Sequence, residues 1–126
     1  LGLETADFND RNMDRKVRAD EFLQAAAYLR EAGFARREIG AYLLAGLPGQ
    51  SVESVEASID LVKAAGVSPV IAHYTPIPST AMWDAACAAS RYDLKSDPIY
   101  TNNSVMPCMP AFSWQLLERY KQRIGS

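Results

Sequence analysis

Cysteine is scarce in this chain: Cys87 and Cys108 are the only two among 126 residues. Two thiols 21 positions apart, with no secretory features around them, do not make a disulfide scaffold and fit a reducing, cytoplasmic compartment. They also rule out an iron–sulfur site built by this chain alone, since a cluster takes several thiolates. Histidine is scarcer still, with His73 alone, and no His, Cys and carboxylate grouping reads as a metal site. No apolar run approaches the roughly 20 residues of a membrane helix. Positive charge is not in excess: 13 Lys and Arg stand against 15 Asp and Glu, for a net charge of -2. That balance argues against a general nucleic-acid or anionic-membrane surface. The start, Leu1-Gly2-Leu3-Glu4, has no charged leader, no long apolar segment and no initiator Met. It reads as a strand, and we expect it to be a boundary within a longer protein.

What is present alternates in period. Gly2 to Glu4 reads as a first strand. From about Asp20 to Ala32, Phe22, Ala25, Ala26, Leu29 and Ala32 recur at three- and four-residue spacing, giving a helix with one apolar stripe and Gly33 as its left-handed stop. Ile39 to Ala45 is a short, continuous apolar run, as expected of a strand buried on both faces of a parallel sheet. Ser51 is a good N-cap for a second helix, with Val52, Val55, Ile59 and Val62 as its buried stripe and Gly66 at its end. Val70 to Tyr74 is the third strand. The endings REAG at Gly33 and KAAG at Gly66 lie 33 residues apart, a period that fits one βα unit. Beyond Trp83 the pattern changes. An Ala-rich helix over Asp84 to Ser90 leads into a Pro- and Asn-rich coil, Tyr92 to Pro110, and an amphipathic helix over Phe112 to Ile124 follows. The expected class is therefore α/β: a partial (β/α) barrel fragment over 1–83, with parallel strands and alternating helices, and a loop-and-helix extension over 84–126.

Barrel chemistry gathers at the C-terminal ends of the strands. Those ends are Glu4 and Thr5, then Ala45-Gly46-Leu47 leading into PGQS, then Tyr74-Thr75-Pro76. Gly46, Pro48 and Gly49 suit a tight turn and a close backbone approach, although a plain strand-to-helix turn accounts for them equally well. A nucleophile elbow is excluded because Gly49-Gln50-Ser51-Val52-Glu53 lacks its second glycine. A phosphate loop is excluded because no lysine follows Gly49. His73 reads as a hydrogen-bonded residue of a buried strand, or as a side chain directed into the barrel. Cys87 reads as a small buried group, and Cys108 as a loop thiol with no neighbouring base. The segment with Arg11, Arg15, Lys16 and Arg18 is interleaved with Asp10, Asp14 and Asp20. It reads either as a solvated, self-paired surface or as a cation set that clamps a carboxylate near the strand ends.

In order, these pieces are a strand ending in GLET, a basic segment, a helix ending in REAG, strand-AGLPGQS, a helix ending in AAG and strand-YTPIPST. That order resembles the second half of the barrel of radical S-adenosylmethionine enzymes. It is especially similar to members with an attached cobalamin-binding domain and to the oxygen-independent coproporphyrinogen oxidases. The tail DPIYTNNSVMPC is also similar to the segment that follows the barrel in cobalamin-linked members. The family holds its 4Fe–4S cluster through a CxxxCxxC loop, which this chain lacks.

The resemblance implies an enzyme when the protein is complete: the cluster cleaves S-adenosylmethionine to a 5′-deoxyadenosyl radical that takes a hydrogen from a small-molecule or peptide substrate. This stretch alone would be inactive, bind no iron and tend to self-associate. By position, Glu4 matches the residue that reaches the ribose hydroxyls. Lys16, or Arg15 beside it, matches the cation for the methionyl carboxylate, with Arg18 a third candidate. Leu44 and Gly46 match the element whose backbone lies along the adenine, and Tyr74, Thr75 and Pro76 match the strand end beside it. The resemblance implies S-adenosylmethionine and the 4Fe–4S cluster as cofactors and leaves cobalamin open. Two departures stand out: Tyr42 replaces the ribose acid of coproporphyrinogen oxidases, and Pro78-Ser79-Thr80 replaces the usual P-G-T turn. Other readings are a cluster-less binding module, or a barrel lyase or isomerase with Glu4 as its one suitable strand-end group.

Overall fold

A computed structural model of the chain describes residues 1–5 and 18–126. Three strands, β1 (Gly2–Glu4), β2 (Gly40–Ala45) and β3 (Ser68–His73), form one parallel sheet in the order β1-β2-β3. Parallel neighbours need a crossover between them. Helix α2 (Val52–Ala64) provides it from β2 to β3, and helix α1 (Ala19–Glu31) lies between β1 and β2 in the chain. A short helix α3 (Trp83–Ala89) and a longer α4 (Trp114–Gly125) follow β3.

Helices α1, α2 and α4 pack on one face of the sheet. β2 alternates: Ala41, Leu43 and Ala45 are fully buried, while Tyr42 between them is 59% exposed. Phe22 and Ala26 of α1, Val55, Ile59 and Val62 of α2, and Tyr120 of α4 share one core cluster with those three β2 residues and Leu3. Tyr42 and Val70, register partners on the opposite face, lie outside it and are exposed. The expectation of a strand buried on both faces is therefore corrected. A continuous apolar run marks a strand built for cover on both sides, and among the described residues only one side is covered. Three strands in an open row do not close into a barrel.

Helix α4 is the partner helix of β3. Arg119 donates through Nε and Nη2 to both Glu56 carboxylate oxygens, the second at 2.9 Å. Arg123 does the same to Asp60, at 2.9 and 2.6 Å. The Lys63 ammonium donates to the Ser126 carbonyl at 2.6 Å. All three rungs join residues 63 positions apart, and a constant offset is possible only if α2 and α4 run in the same direction. Ser68, where β3 begins, lines a surface groove with Gly125 and Ser126, where α4 ends, so the helix runs antiparallel to its strand. The stretch expected as an extension beyond Trp83 thus supplies the helix of a third βα unit, with residues 74–113 inserted between strand and helix. That insertion is not loose coil. Met106 is buried in the main core, and Ala86, Leu94 and Cys108 form a second cluster with Tyr74, Trp83 and Tyr100 packed on it.

Candidate functional site

The three strand ends meet at one end of the sheet. At the end of β1, the Thr5 N–H donates to the Leu3 carbonyl at 2.9 Å, closing a γ-turn around Glu4, whose φ is 67°. A γ-turn with positive φ is strained for a residue with a Cβ. Register with β2 is irregular here: Gly2 opposes Tyr42, and Glu4 opposes Leu43. The result is a half-buried Glu4 beside a buried Thr5.

The end of β2 is organised by Gln50. Its Oε1 accepts from the Gly46 N–H at 3.0 Å and the Leu47 N–H at 3.2 Å, and its Nε2 donates to the Leu44 carbonyl at 3.0 Å. One side-chain amide therefore satisfies three backbone groups that the departing strand would leave unpaired. Ser51 caps α2, with its hydroxyl accepting from the Ser54 N–H at 3.1 Å. A cavity of about 110 Å³ opens between Thr5 and the Leu47–Ser51 loop.

Gly46 is required, though not for the reason its sequence context suggests. Its φ is 90°, and a Cβ there would lie 2.8 Å from Met106 Cγ and 3.0 Å from Met106 Cβ. The close approach that glycine permits is to Met106 of the insertion. Arg91 fixes that insertion, donating through Nη2 to the Val105 carbonyl at 2.8 Å and lying over the Phe112 ring at 4.9 Å. Gln50, Arg91 and Met106 had no place in the sequence reading. Only the Gln of PGQS, at a fixed step after the turn glycine, was a signal that could have been used.

At the end of β3, Tyr74 is half-buried against the second cluster, Thr75 is exposed and Pro76 is buried. Burial pushes the Tyr74 hydroxyl above its ordinary pKa. His73 departs from expectation. It is in register with Ala45, on the helix-covered face, so it does not point toward the open face, and because β3 is an edge strand it is exposed rather than buried. Cys108 is buried, its Sγ 3.5 Å from the Ala86 carbonyl, and burial pushes its thiol up to about 11. Burial thus adds to the missing neighbouring base in making it an unreactive thiol. Cys87 is half-buried rather than buried.

The structure thus gathers Glu4, Leu44, Gly46, Tyr74, Thr75 and Pro76 at one end of the sheet. Arg15 and Lys16, with Arg11, lie outside the described residues. Arg18 is exposed and engaged with the first turn of α1: its Nη2 lies 3.2 Å from Asp20, and its N–H donates to Glu21 at 3.2 Å. Among the described residues no group of three or more His, Cys, Asp and Glu is placed to hold a metal ion, and no helix is long and apolar enough to cross a membrane. No model of a known protein family matches this chain, and no curated protein matches it.

Proposed function

We propose that this chain is the C-terminal part of a radical S-adenosylmethionine enzyme barrel, contributing the rim that holds the nucleoside and methionyl groups of the cofactor. One observation carries the reading: a parallel sheet in strictly sequential order has α1, α2 and α4 on one face and, among the described residues, a bare apolar face on the other. A doubly wound sheet places helices on both sides, whereas a barrel arc keeps its second face for the interior. The open end of that arc is where the named strand-end residues converge.

The residues fit the organic cofactor better than they fit the cluster. The 110 Å³ cavity beside Thr5 is small against ligand pockets of about 300–1,000 Å³, so a nucleoside would have to lie on the open face. There Tyr42, Leu44 and Val70 offer apolar surface suited to a purine ring. Leu44 and Gly46 would lie along it by apolar contact, since Gln50 already engages the Leu44 carbonyl and the Gly46 N–H. Glu4 would accept from the ribose hydroxyls, and Tyr74, Thr75 and Pro76 would bound the adenine. Arg18 is occupied locally, so the carboxylate partner falls to Arg15 or Lys16. Cys87 and Cys108 do not fit a 4Fe–4S cluster, being two thiols in an apolar packing cluster. Its ligands would come from a CxxxCxxC loop elsewhere in the protein. When bound, the cluster supplies the electron that cleaves the cofactor. This chain's residues bind and orient.

The reading requires a CxxxCxxC motif about 100 to 150 residues before Leu1, at ordinary βα lengths. A coding sequence without one would end it. In the cluster-loaded protein, Glu4→Ala and Lys16→Ala should each weaken S-adenosylmethionine binding roughly ten- to a hundredfold, the effect of losing a charged hydrogen bond. Glu53→Ala, on the exposed side of α2, should leave it unchanged. Equal affinity in all three variants would remove the site assignment.

A further inference from the structure

The outer edge of β3 carries a feature that the strand-end reading does not use and that does not depend on it. Alternation decides which backbone groups face outward. The Ser68 N–H donates to the Ile39 carbonyl and the Tyr74 N–H to the Ala45 carbonyl, both at 2.9 Å, so the even-numbered residues between them face β2. Pro69, Ile71 and His73 therefore turn their backbone groups away from the sheet. Pro69 has no N–H to give, which leaves the N–H groups of Ile71 and His73 and three carbonyls without partners among the described residues. Beside this edge runs a groove of about 510 Å³, walled on the helix side by Trp114, Leu117, Tyr120, Lys121 and Ile124. Its lining holds no acidic side chain, and the Lys121 ammonium has no partner among the described residues. Tyr120 in the same wall is 2% exposed, and its buried hydroxyl has no hydrogen-bond partner among the described residues.

We propose that this groove docks an extended apolar peptide strand that carries an acidic side chain. Two donors and three acceptors in a row along a strand are matched by another strand and by no helix. A strand laid along Pro69 to His73 would send every second side chain over α4, between Trp114, Leu117 and Ile124. Trp114 stands 68% exposed at the rim, as an unfilled aromatic wall. Lys121 selects a carboxylate, and the lack of any acid in the lining means that a basic strand meets only like charge.

The probe is the capped peptide acetyl-Val-Glu-Val-Ile-Val-amide, titrated into the isotope-labelled 126-residue chain and followed by amide NMR shifts. The shifts should concentrate at Ile71, His73 and the Trp114 indole. N-methylation of the peptide's pairing amides should weaken binding about tenfold. Glu-to-Gln replacement in the peptide should weaken it about two- to fivefold, and Lys121→Gln should abolish that difference. The proposal is overturned if no shifts appear at the highest soluble peptide concentration, if they map to the other strand edge, or if the N-methylated peptide binds equally well. Equal binding of the Glu and Gln peptides would overturn the acidic requirement. Concentration-dependent shifts of the same amides without peptide would assign the groove to a second copy of the chain instead.

Discussion

The two faces of the sheet are made of similar residues and meet different fates. On the covered face, Ala41, Leu43 and Ala45 are wholly buried under three helices. On the other, Tyr42 and Val70 stand in the same strands, in register with one another, and are exposed. Apolar character therefore does not by itself report cover. It reports what a residue is suited to meet. Isolated exposed apolar residues need no explanation, but a contiguous apolar face on a central strand does.

The comparison breaks most sharply under truncation. Leu43→Ala should destabilise the chain by about 2–5 kcal/mol, because it opens a cavity beneath packed helices. Tyr42→Ser, one residue away, should change stability by no more than about 0.5 kcal/mol. Urea denaturation of both variants checks this, and equal losses would mean that the open face is covered in solution. Gly46→Ala ranks next. It combines a positive φ with a 2.8 Å approach to Met106, so a loss of about 1–3 kcal/mol is expected. Measured against Met106→Ala alone, adding Gly46→Ala should cost less than in the parent, because the 2.8 Å contact with Met106 Cγ is gone, but not nothing, because the 3.0 Å contact with Met106 Cβ and the positive φ remain. No added cost in that background would show that φ was not constraining.

The smallest effect concerns the α2–α4 ladder. The hydrogen bond from Arg123 holds the Asp60 carboxyl below its ordinary pKa. A depressed acid contributes stability that is present above the unfolded value near 4 and is lost as pH falls through the folded value. The stability difference between the parent chain and Asp60→Asn should therefore be constant from neutral pH down to about 5 and close below about 4. Because the pair is exposed, the difference should be small and should shrink with added salt. A gap that persists at low pH would mean the bridge contributes nothing and the substitution acts otherwise.

Much of the architecture was legible because local chemistry and global fold agree. The stripes of α1 and α2, the left-handed glycines after them and the Ser51 cap are short-range signals, and each element lies within about two residues of its expected place. Strand β3 begins two residues earlier than its apolar run suggests, because Ser68 already pairs with the strand start at Gly40. The third unit is not visible in the sequence because residues 74–113 separate β3 from α4, and periodicity does not bridge such a gap. A signal was present: KQRIG at the end of α4 echoes LREAG and VKAAG at the ends of α1 and α2. The candidate site was legible only as a location. That Gly46 meets Met106, that Gln50 ties the loop and that His73 faces the helix side depend on contacts between distant parts of the chain and on one register. None of these leaves a local pattern.

If the chain is part of a larger barrel, the open face of its sheet is the cofactor side. The most direct test of that assignment is the affinity for S-adenosylmethionine of the cluster-loaded protein carrying this chain, with Leu44→Asn compared against Leu23→Asn. Leu44 lies on strand β2 beside the open face, and Leu23 is exposed on α1. The account predicts binding at least about tenfold weaker for Leu44→Asn, with Leu23→Asn matching the parent. Unchanged affinity in the Leu44 variant, with the cluster intact, would contradict it.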